Sequence, residues 1–151
     1  MPRAECGFRD DEQGSGRDWL VSVGPTLWMD AGFDSAYTAA PGQVPTPGMR
    51  NIPALVDTGA LESCIDDSLA TELNLPVVDR VNMSGVGGLH VAKVYLAQIR
   101  SPRLHFVQYG RFTGAALTEG GQSHKILIGR TFLMNSIMFY DGQTGAVTLV
   151  K

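Results

Sequence analysis

Ala54-Leu55-Val56-Asp57-Thr58-Gly59-Ala60 is the stretch on which the fold turns. Three apolar residues read as a buried strand that runs straight into a carboxylate, and the Thr-Gly after it reads as a tight turn. An acid at the end of a core strand is costly to bury, so either it serves a purpose or it merely caps its own turn. Further along the chain a second apolar run, Ile126-Leu127-Ile128, again ends in glycine, at Gly129-Arg130. Between the two runs lies Ser84-Gly85-Val86-Gly87-Gly88, flanked by apolar residues. It reads as a β-hairpin with a glycine tip, and it lacks the Lys-Ser/Thr ending of a phosphate loop.

The rest of the composition fits that reading. A chain of 151 residues is the length of one domain, with 44% apolar residues, an ordinary globular share. Eighteen glycines and eight prolines imply many turns, as in proteins built from short strands. A net charge of −3 leaves no electrostatic footprint for nucleic acid. No apolar run is long enough to span a bilayer, and residues 1–18 lack the apolar core of a secretory signal. Cys6 and Cys64 are too few for a disulfide framework, so both read as free thiols of a reducing, cytoplasmic setting.

Taken in order, residues 1–18 read as a mobile polar tail or loosely docked arm before a domain at 19–151. Trp19–Val23 and Thr26–Phe33 read as strands around Gly24-Pro25. Thr38–Arg50, rich in proline and glycine, reads as a surface loop. Ile52–Val56 is the core strand before Asp57, and Glu62–Ile65 is its return. Asp66 or Asp67 then caps a short helix with Leu69 and Leu73 on one face, ended by Asn74 and Pro76. Val81–Ile99 holds the glycine-tipped hairpin, and Leu104–Tyr109 alternates like a strand. After a loop over Gly110–Ser123 come a second core strand at Lys125–Ile128 and a helical turn at Thr131–Met134. A last hairpin joins Ser136–Tyr140 to Ala146–Val150.

Asp-Thr-Gly-Ala after one core strand, the glycine hairpin and a later Ile-X-Gly-Arg together resemble the retropepsin-like aspartic proteases, in their bacterial-type single-domain form. The resemblance covers about Trp19 to Val150. It implies an all-β fold, a closed barrel of short strands with one or two short helices. It implies an aspartic endopeptidase in which Asp57 is catalytic and Thr58, Gly59 and Ala60 support the active-site loop. Gly85, Val86, Gly87 and Gly88 would be the substrate flap, and Gly129 and Arg130 would be structural near the site. The same resemblance implies a homodimer, an extended peptide or protein as substrate, and no cofactor, metal, nucleic acid or membrane. The runner-up reading is a non-catalytic dimerisation or peptide-binding module of the same fold.

Peptide hydrolysis by two acids needs them adjacent and sharing one proton. This chain has a single Asp-Thr-Gly, and Asp30, Asp79 and Asp141 precede neither Thr-Gly nor Ser-Gly. The second acid is therefore expected from an identical chain across a two-fold axis, where a residue near the axis meets its own copy. The chain departs from the family at Leu61, where an acid would pair with the Gly-Arg arginine. That leaves Glu62, Asp66, Asp67 or the other subunit as partners for Arg130. His90, His105 and His124 lack metal-ligand spacing and read as structural. Cys64, among apolar neighbours, does not read as a nucleophile.

Overall fold

Residues 1–85 and 87–151 are described by a computed structural model; Val86, which the sequence reading placed in the flap, lies outside them. The protein is 46% strand and 12% helix and contains a closed six-stranded barrel, an all-β retropepsin-like fold. The barrel strands are β2 (Thr26–Gly32), β3 (Met49–Val56), β4 (Cys64–Asp66), β6 (Gly88–Ser101), β7 (Phe106–Ala115) and β8 (Ile126–Ile128). Their order is β2-β3-β8-β4-β7-β6, closed by β2 pairing back to β6. β5 (Val77–Gly85) flanks β6 as the other arm of the long hairpin. Closure removes sheet edges and seals Leu27, Met29, Ile52, Ile65, Ile99, Ile126 and Ile128 inside.

A second sheet of three strands orders β1 (Arg3–Glu5), β10 (Ala146–Val150) and β9 (Ile137–Asp141). Of the expected mobile tail or loosely docked arm, it is the arm that forms, and as a paired strand. β1 pairs antiparallel with β10, and Ala4 and Cys6 are buried. Thr26 N–H donates to the Cys6 carbonyl at 2.8 Å, which stitches this arm to the barrel. Alternation of small and apolar side chains in Ala4-Glu5-Cys6 is the cause, since it gives an otherwise polar stretch one face that can pack. Burial pushes the Cys6 thiol up to about 12, with the Glu5 charge adding to it.

The expected strand at Trp19–Val23 is instead part of a helix, α1 (Gly16–Val23). Local capping overrode the β-branched composition. Ser15 Oγ accepts from Asp18 N–H at 3.1 Å, and Gly24, at φ +88°, donates to the Leu20 carbonyl at 3.0 Å. Only Leu20 faces the core, while Val21 is exposed. The other helices, α2 (Asp67–Glu72) and α3 (Arg130–Leu133), fall within a residue of expectation. Leu104 and His105 leave the expected strand and form the β6–β7 turn, with His105 at φ +51°. β7 then runs on through Gly110 into the expected loop.

Asp66 settles as the α2 cap and does more besides. Its buried carboxylate accepts from Leu69 N–H, Leu117 N–H, Thr118 N–H and the Thr118 hydroxyl, at 2.6–3.2 Å. Burial disfavours its charge, but the Thr118 and Leu69 donors outweigh that and hold its pKa below the ordinary value. Asp66→Ala should therefore cost about 2–4 kcal/mol, because it orphans buried donors. The native pKa is the lower one, so this stabilisation is complete above the unfolded carboxylate value and lost as pH falls through the folded one. Urea midpoints measured between neutral and acid pH check this: the wild type should lose stability on acidification more steeply than Asp66→Ala.

Candidate active site

β3 and β8 lie side by side and parallel, Val56 opposite Ile128. Parallel pairing makes the two strands end at the same place, so the turn after β3 and the turn after β8 meet. Asp57 N–H donates to the Ile128 carbonyl at 2.9 Å, which fixes the aspartate at that junction. Its Oδ1 accepts from Gly59 N–H at 2.9 Å, and Ala60 N–H closes the turn on the Asp57 carbonyl at 3.2 Å. A Cβ at Gly59 would stand 3.1 Å from that same Oδ1, so the glycine keeps the carboxylate uncrowded. Asp57 is half-buried, and Thr58 and Gly59 are exposed in the single chain.

The turn after β8 clamps this loop from the other side. Arg130 N–H donates to the Ala60 carbonyl and Thr131 N–H to the Leu61 carbonyl, both at 3.0 Å. The Arg130 guanidinium donates to the Thr58 carbonyl at 2.8 Å. Within the chain, among the described residues, Arg130 pairs with none of Glu62, Asp66 and Asp67, and instead ties the Asp57 loop. Asp66 is engaged by Leu117 and Thr118, and Asp67 accepts from Tyr95 at 2.7 Å. Gly129 packs its Cα against the Glu62 backbone, where a Cβ would meet the Glu62 carbonyl carbon at 2.5 Å. No side chain fits there, which is why the segment reads Gly-Arg.

Ser63 was not singled out by the sequence reading. It is buried, and its Oγ accepts from Gly129 N–H at 3.1 Å, a further tie between the two turns. A hydroxyl buried where the chain re-enters the barrel is the one signal that could have marked it. Cys64, next along, has its thiol pushed up by burial first and then by the Glu62 and Asp57 charges. That sign opposes a thiolate nucleophile.

The remaining acids have other uses. Asp30 is buried between Arg50 and Arg100, 3.6 and 3.8 Å away. Asp79 pairs with Arg111, and Asp141 caps the β9–β10 turn through Gln143 and Thr144. The glycine hairpin forms as β5 and β6, ending in the pair Gly85 and Gly88, with Gly88 at φ +94° and Gly87 exposed. Among the described residues no hydrogen bond or ion pair joins this tip to the Asp57 loop.

Three features thus coincide: a carboxylate on a glycine turn, a second glycine turn locked to it, and a closed barrel behind both. An aspartyl protease family model matches residues 39–132, which takes in Asp57, the hairpin and Gly129-Arg130. No curated protein matches the chain. The chain belongs to the retropepsin-like aspartyl protease family.

Proposed function

We propose that the protein is an aspartic endopeptidase that works as a homodimer, with Asp57 of each chain supplying one acid of the pair. The observation that carries this is the Asp57 turn itself, locked by Gly59 on one side and by Arg130 and Ile128 on the other. Two such carboxylates share one proton. The ionised one takes a proton from water as the water oxygen attacks the peptide carbonyl carbon. The protonated one gives its proton to the carbonyl oxygen. Collapse of the tetrahedral species breaks the C–N bond: the leaving nitrogen takes a proton from one acid while a hydroxyl on the former carbonyl carbon returns one to the other, which restores the single shared proton.

The uncovered strand β9 supports the dimer. It is the edge of its sheet, and all five of its residues are exposed, including Ile137 at 56%, Phe139 at 62% and Tyr140 at 54%. Met138 and Tyr140 share a face with Leu149 and Val147 of β10, yet those two are buried and Met138 and Tyr140 are not. An exposed, mostly apolar edge strand is an invitation to pair. An antiparallel copy of β9 centred on Phe139 satisfies the edge and is isologous, as a two-fold dimer requires.

The β5–β6 hairpin is proposed as the flap. Leu89 and Val91 project from the same face of β6 and are exposed, an apolar stripe suited to an extended peptide beneath it. Gly88→Val would force an L side chain into φ +94° at the tip. It should lower kcat/KM by about tenfold while the melting temperature barely moves. Unchanged turnover would remove the hairpin from the catalytic cycle.

The direct test of the function is an extended-peptide library digested in oxygen-labelled water and read by mass spectrometry. Cleavage with one labelled oxygen in each new carboxylate, and no covalent enzyme adduct, is the expected result. Peptide binding without cleavage would mark the chain as a binding module instead.

A further inference from the structure

Away from the Asp57 loop, the segment after β2 and the strands β6 and β7 border an open pocket of about 170 Å³ lined by Phe33, Tyr37, Ala39, Leu96, Tyr109 and Gly110. That volume equals roughly five or six waters, enough for one compact group. The Tyr37 and Tyr109 rings meet nearly at right angles, 70° between planes and 5.7 Å between centroids, so they form two adjoining walls. Tyr109 is 57% exposed and Phe33 39% exposed, so aromatic surface is left open to solvent.

The walls are held in place rather than adaptable. Gln98, buried on β6, accepts from Asp34 N–H at 2.7 Å and donates to the Asp34 carbonyl at 3.1 Å. The Asp34 carboxylate accepts from Ala36 N–H and Thr46 N–H, both at 2.9 Å, which closes the long loop onto its own start. Tyr37 N–H donates to the Asp34 carbonyl at 3.1 Å and sets the tyrosine on that turn. The Thr46 and Ala36 donors keep the Asp34 carboxyl below its usual range, so a fixed negative charge lies at the base of the turn that carries Tyr37. The nearest cation on the same face of β7, Arg111, is paired with Asp79.

We propose that this pocket is an aromatic cage that binds a methylated ammonium group. Ring faces are negative and attract a cation without a direct counter-ion, and a bulky, weakly hydrated ammonium gives up little water to enter. A phosphate or carboxylate would meet aromatic rings and no cation among the lining residues. Gln98 lies in the register opposite Tyr109, ten residues along β6 from Gly88, so the cage stands on the order of 33 Å from the hairpin tip by strand rise. It is a second site, and it does not depend on catalysis by Asp57.

The test uses the full chain carrying Asp57→Asn, so that peptides survive. Choline is titrated by backbone-amide NMR beside its uncharged carbon isostere, in which a tert-butyl group replaces the trimethylammonium. Choline should shift the amides of Tyr37, Gln98 and Gly110 and bind roughly five- to thirty-fold more tightly than the isostere. Tyr37→Ala and Tyr109→Ala should each abolish the shifts, while Tyr37→Phe, which keeps the ring, should retain them. Equal binding of the isostere would make this a plain apolar pocket and overturn the proposal. So would no binding of choline to a chain whose spectrum is folded. A trimethyl-lysine peptide tested against its unmethylated twin separates the sources. Tighter binding of the methylated peptide than of choline assigns the group to a protein, and equal binding assigns it to a free small molecule.

Discussion

Asp57→Asn should reduce peptide hydrolysis by roughly 10²- to 10⁴-fold or to nothing measurable, with the fold and the oligomeric state unchanged. The amide has the shape of the acid and can still accept the 2.9 Å bond from Gly59 N–H, so the turn keeps its geometry. It cannot take a proton from water. The proposed two-chain site makes a sharper version available. When wild-type and Asp57→Asn chains are mixed in equal amounts and allowed to re-pair, random association leaves about a quarter of the dimers with two aspartates. Activity per total chain should fall to about that fraction. A fall to one half would mean that each chain works alone. Retention of most activity by the pure variant would remove Asp57 from catalysis.

Phe139→Glu should separate the chains. In the proposed pairing this residue lies on the two-fold axis, so one substitution brings two like charges face to face in a newly buried strand pair. The dimer should weaken by at least about a hundredfold, roughly 3 kcal/mol. Phe139 is 62% exposed in the single chain, so the monomer should stay folded. Sedimentation and the concentration dependence of activity read the result together. The expected outcome is a folded monomer that is inactive at concentrations where the wild type is dimeric and active. A dimer that survives Phe139→Glu would place the interface elsewhere. An active monomer would end the shared-site reading.

The two core runs and their glycines carried most of what could be read without coordinates. Ala54-Leu55-Val56 and Ile126-Leu127-Ile128 are buried wholly or in part, and parallel pairing lines them up residue for residue. A short apolar run bounded by glycine has few ways to fold other than as a core strand, so these elements were legible. The α2 helix with an aspartate cap and the last hairpin were legible for the same local reason, their signals lying within a few residues of each other, although the choice of Asp66 over Asp67 as the cap came only with the structure.

Other features were decided by contacts distant in sequence. The polar first residues became a strand because β10, at the other end of the chain, offers an edge to pair with. Trp19–Val23 became helix because Ser15 and Gly24 cap it, and strand propensity carries little weight against caps at both ends. Within its own chain Arg130 meets a carbonyl because β3 and β8 end together and bring that of Thr58 within reach. Ser63 and the aromatic pocket around Tyr37 and Tyr109 were invisible in one dimension, since each assembles residues from elements far apart in the chain. The sequence by itself determined where the candidate site sits, because a carboxylate on a glycine turn is a local pattern. Only the tertiary structure decided what holds it there, because those hydrogen bonds exist only once the barrel has closed.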